Sequence, residues 1–506
     1  MITALLLVVT AFLAWWFFSP EKDRFPGPKG LPIIGSALSL PKERQWLTFE
    51  QWRKEYGNIF SFSLLGSENL VISSLDIAKE LFETRGLIYS DRPKAVMVGE
   101  LVGWNRGLGY TNGPPNPRFR ELRRLFNAFI GPRACESVDI QAVQEEETLK
   151  LLVRLLETPD DFLAHIRGIN AAVLLRLAYG YHPSAEESDA LGLVKIVGDA
   201  MDGFSLASEP GWWVDSVPLL RYIPFLPFQY AAKRMRADLE RLYQVPFNFV
   251  KRERMNGTAK ISFISSFLDE KNEAETKEDE DIINAAAASL YSGGAETTVS
   301  SLESFFLVMA LYPEVQRKAQ AEVDRYLGGR SELIWPRISD RPHLPYVEAI
   351  MLEILRWNPS VPLSLPHVAR EDDIYRGRRI KKGTVVWANM WSILQDPELF
   401  PEPRVFKPER YITEEGKLAT NSKATLTARA AFGFGRRICP GLYLAENTMF
   451  LTFSTLLATF NIAEDPDEDP LIYYEGFISH PHPFKCKVSV RSPQIEAAIR
   501  STLPQY

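Results

Sequence analysis

The chain has 506 residues, 46% of them hydrophobic and 24% charged, which is the composition of a globular protein with a large buried core. Its formal net charge is −6 and no basic run is interleaved with aromatic residues, so nucleic acid is excluded as an expected partner. The cysteines Cys135, Cys439 and Cys486 are odd in number and far apart, which fits a reducing compartment better than a disulfide framework.

The N-terminal residues 1–19 predict a membrane anchor. Residues 1–18 carry no charged side chain and as a helix would span about 27 Å, close to the ~30 Å of bilayer hydrocarbon. A cleaved signal peptide is the alternative, but the segment has neither a basic start nor an A-x-A-like cleavage site. The charges at 21–24 cancel, so they do not set the orientation of this single-pass helix.

Residues 20–35 predict a stiff hinge, because FPGPKGLPIIG is too rich in proline and glycine for a helix or a regular strand. Beyond it, apolar residues at 59–64 and 70–72 predict a small pair of strands around Gly66. Neither a repeat nor a flexible linker divides residues 36–506, which are expected to form one domain, mainly α with minor β. Apolar residues with helical spacing predict long helices at 143–156, 232–254, 282–311, 313–327 and 346–357.

The segment FGFGRRICPG surrounds Cys439 with residue types that suit a thiolate held against a flat metallocofactor. Glycines at 433, 435 and 441 favour close backbone approach and positive φ, and Pro440 with Gly441 suits the start of a helix. A helix start and nearby cations stabilise the thiolate, which is the form that binds metal, and Arg437 is suited to a carboxylate of the cofactor. The alternative is a buried cysteine in a glycine-rich turn. Zinc is not expected, because no second Cys or His lies at ligand spacing.

The positions of Phe432, Gly435, Arg437, Cys439 and Gly441 match the signature F-x-x-G-x-R-x-C-x-G, through which the chain resembles the cytochrome P450 family. The resemblance implies the cytochrome P450 fold, haem b as cofactor and Cys439 as the proximal ligand of the iron. Such a thiolate donates electron density that favours cleavage of the O–O bond. Phe432, Arg437 and Gly441 are expected to contact the haem, and residues 36–506 to be the haem-thiolate catalytic domain.

The predicted helix 282–311 contains GGAETT, which resembles the family's oxygen-binding motif (A/G)-G-x-(D/E)-T-(T/S). Small residues let a macrocycle and O2 approach a helix, and Thr beside glycine can divert a backbone hydrogen bond. The resemblance implies that Glu296 and Thr297 are catalytic and deliver protons during oxygen activation. Without it, the segment would equally suit a small-residue face for helix packing.

Glu353 and Arg356 are three residues apart on a predicted helix, where they share a face. Alone, this spacing is typical of a solvated surface pair. Arg410 follows in FKPERY, and the resemblance implies that Glu353, Arg356 and Arg410 form the family's buried structural triad beneath the haem.

The segment PRFRELRRLF resembles the family's W-x-x-x-R helix, whose Trp and Arg reach the haem propionates. Phe119 stands where Trp is usual, so the indole N–H donor is missing and Phe119 offers packing alone. Arg123 is the expected propionate partner, with Arg124 as the alternative in register. His367 in PHVARED is a further candidate for a propionate contact.

A narrower resemblance links the chain to membrane-bound fungal enzymes of secondary metabolism similar to O-methylsterigmatocystin oxidoreductase, through FPGPKGLPIIG, IYSDRP, PHVAREDDIYRG and FISHPHPFKC. It implies a monooxygenase that uses O2 and NADPH-derived electrons to oxidise an apolar small molecule, a terpenoid or an aromatic polyketide. The alternatives are a haem-thiolate isomerase or dehydratase, which needs no reductase, and a noncatalytic haem-binding protein. The nominated pocket walls are Ala286, Ser289, Leu290, Ala295, Val361 and Leu365.

The sequence contains no nucleotide-binding glycine motif, so the electrons are expected to come from another protein. The resemblance implies NADPH–cytochrome P450 reductase, with cytochrome b5 as an optional second donor, and a catalytic domain that faces the cytosol at the endoplasmic reticulum membrane. Residues 211–230 are apolar and interrupted by prolines, and they suit either ordinary core or a loop in the lipid interface beside the substrate entrance. The nominated reductase-docking residues are Arg118, Arg120, Arg124 and Arg436.

Overall fold

The computed structural model describes residues 23–41, 43–183, 192–208, 212–271, 276–328, 335–465 and 476–502. The predicted anchor at 1–19 and the first residues of the predicted hinge lie outside these ranges. Within the ranges, no helix is both long enough and apolar enough to cross a bilayer. The anchor therefore stays a prediction.

The described part of the predicted hinge lies against the first strand of the domain. It forms no helix, and an isolated β-bridge joins Gly35 to Leu64. The carbonyl oxygen of Pro26 accepts a hydrogen bond from the backbone N–H of Ser61 at 2.9 Å. A Cβ atom on Gly27 would lie 1.8 Å from the carbonyl oxygen of Ser61, so only glycine permits this approach. The segment is therefore docked on the domain.

Helices form most of the described structure, and the predicted helices at 143–156, 232–254, 313–327 and 346–357 are confirmed. Proline stands in the first turn of several of them, where its missing N–H removes no helical hydrogen bond. In chain order the α-helices are α1 (Gln45–Tyr56), α2 (Leu75–Lys79), α3 (Pro117–Ile130), α4 (Pro132–Cys135), α5 (Val138–Glu157), α6 (Phe162–Tyr179), α7 (Leu193–Ser208), α8 (Trp213–Ser216), α9 (Pro227–Met255), α10 (Phe263–Lys271), α11 (Lys277–Ala295), α12 (Thr297–Leu311), α13 (Pro313–Leu327), α14 (Pro345–Trp357), α15 (Met390–Leu394), α16 (Lys423–Arg429), α17 (Leu442–Thr459) and α18 (Pro493–Thr502).

Short helical turns of other types connect these elements. Two are π-helical, Glu80–Thr84 and Val96–Val102. The 3₁₀ turns are Trp104–Arg106, Pro159–Asp161, Pro218–Tyr222, Ile338–His343, Pro408–Tyr411, Ala430–Phe432 and Gly435–Arg437.

The strands form small sheets at the edge of the helical body. In chain order they are β1 (Ile59–Leu64), β2 (Ser67–Ile72), β3 (His367–Val368), β4 (Asp373–Tyr375), β5 (Arg378–Ile380), β6 (Val385–Ala388), β7 (Phe460–Glu464) and β8 (Cys486–Val490). One sheet has the order β1-β2-β6-β3, in which β2 and β6 are parallel and the other pairs antiparallel. Strands β4 and β5 pair antiparallel, as do β7 and β8. The predicted β1 and β2 pair is confirmed, and Gly66 turns between them with φ +84°.

Two helices that are buried on nearly all sides lie at the centre of the fold. α12 and α17 pack against each other, and the ring of Phe305 stacks on that of Phe453 with 4.2 Å between centroids. α12 begins just after the GGAE segment, and α17 begins three residues after Cys439. The packing of α12 on α17 therefore fixes the cysteine segment relative to the GGAETT segment.

The prediction of an uninterrupted helix over residues 282–311 is wrong at one residue. α11 ends at Ala295 and α12 begins at Thr297, while Glu296 between them has φ −105° and ψ −32°. Apolar spacing continues across the break, so periodicity gives no signal of it. Its cause is a set of hydrogen bonds to the helix carbonyls, which belongs to the site.

Candidate active site

The cysteine segment forms a tight loop before α17. The backbone N–H of Cys439 donates to the carbonyl oxygen of Phe432 at 2.8 Å, which closes the loop. Gly433 and Gly435 have φ of +83° and +51°, and a Cβ on Gly435 would lie 2.4 Å from a backbone oxygen of Phe82. The prediction of positive φ is wrong for Gly441, whose φ is −89° as it precedes the first residue of α17. Glycine is therefore required at 433 and 435.

The Cys439 side chain is exposed to a cavity of about 380 Å³, which it helps to line. Burial raises the pKa of this thiol, whereas the backbone N–H of Gly441 and the positive charge of Arg123 act in the opposite direction. Phe432 and Gly441 line the same cavity. The residues predicted around the cysteine are thus brought together at one space of ligand size.

Four arginines line this cavity: Arg92 is buried, Arg123 and Arg437 are partly buried, and Arg436 is exposed. Arg92 donates to the carbonyl oxygens of Gly109, Leu365 and Pro366 at 2.7–2.9 Å, and Arg123 donates to that of Ile438 at 2.7 Å. Arg437 likewise donates only to backbone carbonyls, those of Ser90, Leu108 and Thr111. In the described part of the chain, none of these three guanidinium groups pairs with a carboxylate.

The charge of these arginines is therefore not compensated. Burial, together with repulsion from Arg92, lowers the pKa of Arg437 to about 8. Burial also lowers the pKa of Arg92 to about 10 and that of Arg123 below its usual value. Because guanidinium groups stay charged in proteins, an anion in the cavity would stabilise these three arginines.

Phe119 supports one of these arginines by packing. The Arg437 guanidinium lies over the Phe119 ring, 4.3 Å from its centroid, and Phe119 is buried. Arg123 and not the alternative Arg124 faces the cavity, because Arg124 is exposed and bonds to Glu121 at 2.9 Å. Arg118 also differs from the prediction of a free docking residue, since it pairs with Asp281 at 2.8 Å.

His367 lines the cavity beside these arginines. Its Nδ1 lies 2.6 Å from the carbonyl oxygen of Tyr89, which can only accept, so Nδ1 carries a hydrogen and Nε2 is left for another partner. Burial and the charges of Arg92 and Arg437 hold the pKa of His367 well below its usual value. A carboxylate beside Nε2 would raise the pKa of His367.

The break between α11 and α12 opens onto the cavity. Thr297 Oγ1 donates to the carbonyl oxygen of Gly293 at 2.8 Å. The Asn170 side-chain amide donates to the carbonyls of Gly294 and Ala295 at 3.0 and 2.9 Å. These side-chain donors bond to carbonyl oxygens that would otherwise accept from backbone N–H groups of the helix. This competition explains why the helix is interrupted here. Gly293, Gly294, Thr297 and Asn170 all line the cavity.

Glu296 lies at the break but its side chain is not part of the cavity lining. Its carboxylate pairs with Arg167 at 3.1 Å and with His480 at 3.4 Å, and it is 30% exposed. The structure therefore places Thr297 at the cavity and Glu296 next to it on the outer side of the helix. The predicted pair is adjacent but does not face one space.

Glu353, Arg356 and Arg410 meet in a buried network. Arg356 donates to both carboxylate oxygens of Glu353 at 2.7 and 2.8 Å, and both side chains are 0% exposed. Arg410 Nε lies 3.3 Å from Glu353 Oε1. The Tyr411 hydroxyl and the backbone N–H of Lys407 donate to the same carboxylate at 3.0 and 2.8 Å. The alternative of a solvated surface pair is therefore wrong.

Comparison of the sequence with known proteins identifies the family that has this site. The sequence profile of the family described as Cytochrome P450 matches residues 25–488. The chain belongs to the cytochrome P450 family. Cytochrome P450 monooxygenase claR of Ampulloclitocybe clavipes is 39% identical over 505 residues, covering 97% of this chain and 91% of the relative. Cytochrome P450 monooxygenase 208 of Postia placenta is 39% identical over 507 residues, with coverage of 98% and 96%.

A relative named for its substrate is tryptamine 4-monooxygenase of Psilocybe cyanescens, 36% identical over 487 residues, or 93% of either chain. The predicted P450 fold, monooxygenase activity and haem cofactor are confirmed. As a member of the family, this P450 depends on a redox partner and acts on a small molecule.

The residues around the cavity fit haem. The Cys439 thiol faces the space and would hold the iron, and Arg92, Arg123 and Arg437, which pair with no carboxylate in the described part of the chain, would supply the charge that two propionates require. His367 would hold the propionates together with these arginines. The chemistry that haem supplies when bound is the activation of O2 by electrons delivered from a partner.

Two residues that complete this arrangement were not predicted from the sequence. Arg92 occurs in IYSDRP, where a buried arginine has no local signal beyond the motif itself. Asn170 is a single amide side chain among the apolar residues of α6. A polar residue in such a position is a sequence signal that could have identified it as a functional candidate. Of the nominated pocket walls, Ser289, Leu290, Val361 and Leu365 line the cavity, whereas Ala286 and Ala295 pack into the helix core.

Proposed function

We propose that this P450 oxidises a neutral, apolar small molecule of fungal secondary metabolism, a terpenoid or an aromatic polyketide. The observation that supports the proposal is an aromatic group in the cavity lining around Phe204. Its ring lies 4.9 Å from that of Trp104, 6.0 Å from that of Tyr110 and 5.7 Å from that of Phe477, between centroids. Such rings offer a large apolar surface that favours flat or hydrocarbon-rich substrates.

The charge of the lining supports a neutral substrate. The charged side chains that line the cavity are arginines, and the described part of the chain contributes no carboxylate to it. The Psilocybe cyanescens relative is named for tryptamine, an amine, and an ammonium group in an apolar cavity needs an anionic partner. This chain is therefore proposed to act on a different class of molecule.

We propose NADPH–cytochrome P450 reductase as the electron donor, with cytochrome b5 as an optional second donor. Arg120 and Arg436 are exposed, Arg120 on α3 and Arg436 on the segment that carries Cys439. Both are available to acidic residues of a partner, whereas Arg118 is engaged with Asp281.

The experiment that tests the function is co-expression with a fungal reductase. Candidate terpenoids and aromatic polyketides are screened for type I spectral shifts and for oxygenated products, with tryptamine as the comparison. We expect products only when NADPH and O2 are both present. Product formation without them would indicate the isomerase or dehydratase alternative, and the absence of reductase-dependent oxygen uptake with every compound would contradict a monooxygenase.

We propose that the Thr297 hydroxyl donates a proton at the cavity. We further propose that Glu296 then returns a proton to this hydroxyl. The Thr297 hydroxyl lies at the break, where the Asn170 and Thr297 side chains donate hydrogen bonds to the carbonyl oxygens of α11. Glu296 is the adjacent residue and is partly exposed to solvent, so it can exchange protons with water. The structural triad of Glu353, Arg356 and Arg410 supports the segment below the cavity.

Thr297→Ala is expected to retain haem but to separate NADPH consumption from product formation. Loss of the hydroxyl removes the proton donor from the cavity, so more of the reduced oxygen leaves as hydrogen peroxide. The measurement is the ratio of product and peroxide to NADPH consumed. Thr297→Ser keeps the hydroxyl and is the matched control, and equal ratios in the wild type and in Thr297→Ala would contradict this role.

We propose that residues 1–19 anchor the protein in the endoplasmic reticulum membrane, that 20–35 connect the anchor to the domain, and that residues 36–506 face the cytosol. The described segment after 211 supports a second membrane contact. Trp213, Leu219, Tyr222 and Phe225 are 67–80% exposed, which disfavours the alternative that this segment is ordinary core. A lipid interface would cover these side chains.

Deletion of residues 1–19 separates the two contacts. We expect the truncated protein to keep its haem spectrum and still to float with liposomes, because the aromatic segment retains affinity for the interface. Replacement of Leu219 and Phe225 by serine in the truncated protein should abolish flotation. Flotation that is unaffected by these replacements would contradict the second contact.

A further inference from the structure

A charged cluster on the outer side of the helix break joins four side chains, Arg167, Glu296, Glu303 and His480. Arg167 bridges the two carboxylates, at 3.1 Å to Glu296 and 2.8 Å to Glu303. His480 also bridges them, with Nδ1 2.8 Å from Glu303 Oε2 and Nε2 3.4 Å from Glu296 Oε2. The four residues come from α6, the break, α12 and the segment 476–485, and we call them the outer cluster.

The geometry fixes where the hydrogens of His480 lie. Glu303 is only 4% exposed and pairs with Arg167, so its carboxylate acts as an acceptor and His480 Nδ1 donates to it. The other ring nitrogen, Nε2, then faces a carboxylate oxygen of Glu296. A proton on Nε2 would be attracted to this carboxylate oxygen, whereas the lone pair of an unprotonated Nε2 would be repelled by it.

The formal charges of the outer cluster also favour a proton at this position. Two carboxylates face one guanidinium, which leaves one negative charge when His480 is neutral. A proton on Nε2 or on Glu296 neutralises the group. Arg167 is half exposed and Glu296 30% exposed, so water reaches the cluster and can supply this proton.

We propose that His480 is a positioning residue for the reaction, which holds the Glu296 carboxylate at the helix break and shares with it a proton taken from solvent. This inference rests on the proposed role of Glu296 as the acid that renews the Thr297 proton. Insertion of one oxygen atom and reduction of the other to water consume two electrons and two protons. The electrons come from NADPH through the reductase, and each proton passes from water to His480, from Nε2 to Glu296, and from Glu296 to the Thr297 hydroxyl, which faces the cavity.

A purely structural role for the cluster predicts different behaviour. If His480 only stabilises the fold, its replacement lowers the yield of holoenzyme and leaves the turnover of the remaining molecules unchanged. If His480 acts through Glu296, turnover falls while the haem content stays normal. The two roles are therefore separated by turnover per haem.

The kinetic test is a double-mutant cycle with His480→Asn and Glu296→Gln. General acid catalysis contributes roughly 10²- to 10⁴-fold, so we expect Glu296→Gln to lower turnover per haem about 100-fold and His480→Asn about tenfold. The double variant should be no slower than Glu296→Gln alone, because His480 acts only through Glu296. The solvent isotope effect on turnover should increase in His480→Asn.

His482 provides the matched control. It lies two residues beyond His480 in the sequence HPHP and is exposed, so His482→Asn should match the wild type in every measurement. If His480→Asn lowers the holoenzyme yield, His480→Gln takes its place in the cycle.

A second readout does not depend on turnover. In the diamagnetic ferrous carbonyl complex, the Cε1–H resonances of the histidines are observed in protein labelled with ¹³C-histidine. Glu296→Gln should move the His480 resonance at constant pH and leave that of His482 in place. An unmoved His480 resonance would overturn the contact between His480 and Glu296.

The outcomes separate this inference from the proposed function. Normal turnover in Glu296→Gln would overturn the acid role of Glu296 and this inference with it. A slow Glu296→Gln together with a wild-type His480→Asn would overturn this inference alone, as would fully additive effects in the double variant.

Discussion

Cys439→Ala is expected to abolish the haem-thiolate spectrum and all monooxygenase turnover. Cys439 is the cysteine that lines the cavity in the described part of the chain, so the variant removes the thiolate ligand of the iron. The measurement is the difference spectrum of the reduced enzyme with carbon monoxide, together with product formation. We expect complete loss of the thiolate band, even where some haem remains bound through the arginines.

The other two cysteines are the controls for this loss. Cys135 and Cys486 are buried away from the cavity, and burial raises the pKa of each thiol to about 12, so both are protonated and unreactive. Cys135→Ala and Cys486→Ala should keep the thiolate band. A normal band in Cys439→Ala, or its loss in either control, would contradict the assignment of the ligand.

Glu353→Ala is expected to prevent accumulation of holoprotein. The variant leaves Arg356 completely buried without a counter-charge and removes the acceptor for Arg410, Tyr411 and the backbone N–H of Lys407. Removal of one partner of a buried ion pair costs about 3–5 kcal/mol in the free energy of unfolding. That is a large fraction of the 5–15 kcal/mol by which domains are usually stable.

The measurement for Glu353→Ala is the yield of folded protein with the reduced carbon monoxide band. Glu409→Ala is the matched control, because Glu409 lies next to Arg410 but forms a half-exposed pair with Lys318, worth about 0–1 kcal/mol. We expect near-normal yield from Glu409→Ala. Equal yields from the two variants would show that the buried network does not support the fold.

Sequence patterns predict the parts of this structure that depend on local chemistry. The helix at 313–327 is bounded by a proline at its first residue, and its observed bounds match the prediction. The run FGFG places glycine at 433 and 435, where the backbone has positive φ, and the family signature specifies the second of these glycines. Glu353 and Arg356 share a helix face because of their spacing, so their contact follows from the helix itself.

Features that depend on contacts between distant segments were not predictable. The helix is interrupted at Glu296 because Asn170, which lies 124 and 125 positions away in the chain, donates to the carbonyls of Gly294 and Ala295. The direction of Glu296 is set by Arg167 and His480, again from distant segments. The motif identifies Glu296. Tertiary packing alone determines the face of the helix on which its carboxylate lies.

The charge of the arginines around the cavity also has a consequence for the abundance of the protein in the cell. A chain that folds without haem holds Arg92, Arg123 and Arg437 together with no dianion to offset their repulsion. Binding of a ligand to the folded form alone shifts the folding equilibrium by mass action, so the cellular supply of haem sets how much of this enzyme survives quality control. Heterologous expression should therefore respond to added haem precursor in abundance as well as in specific activity.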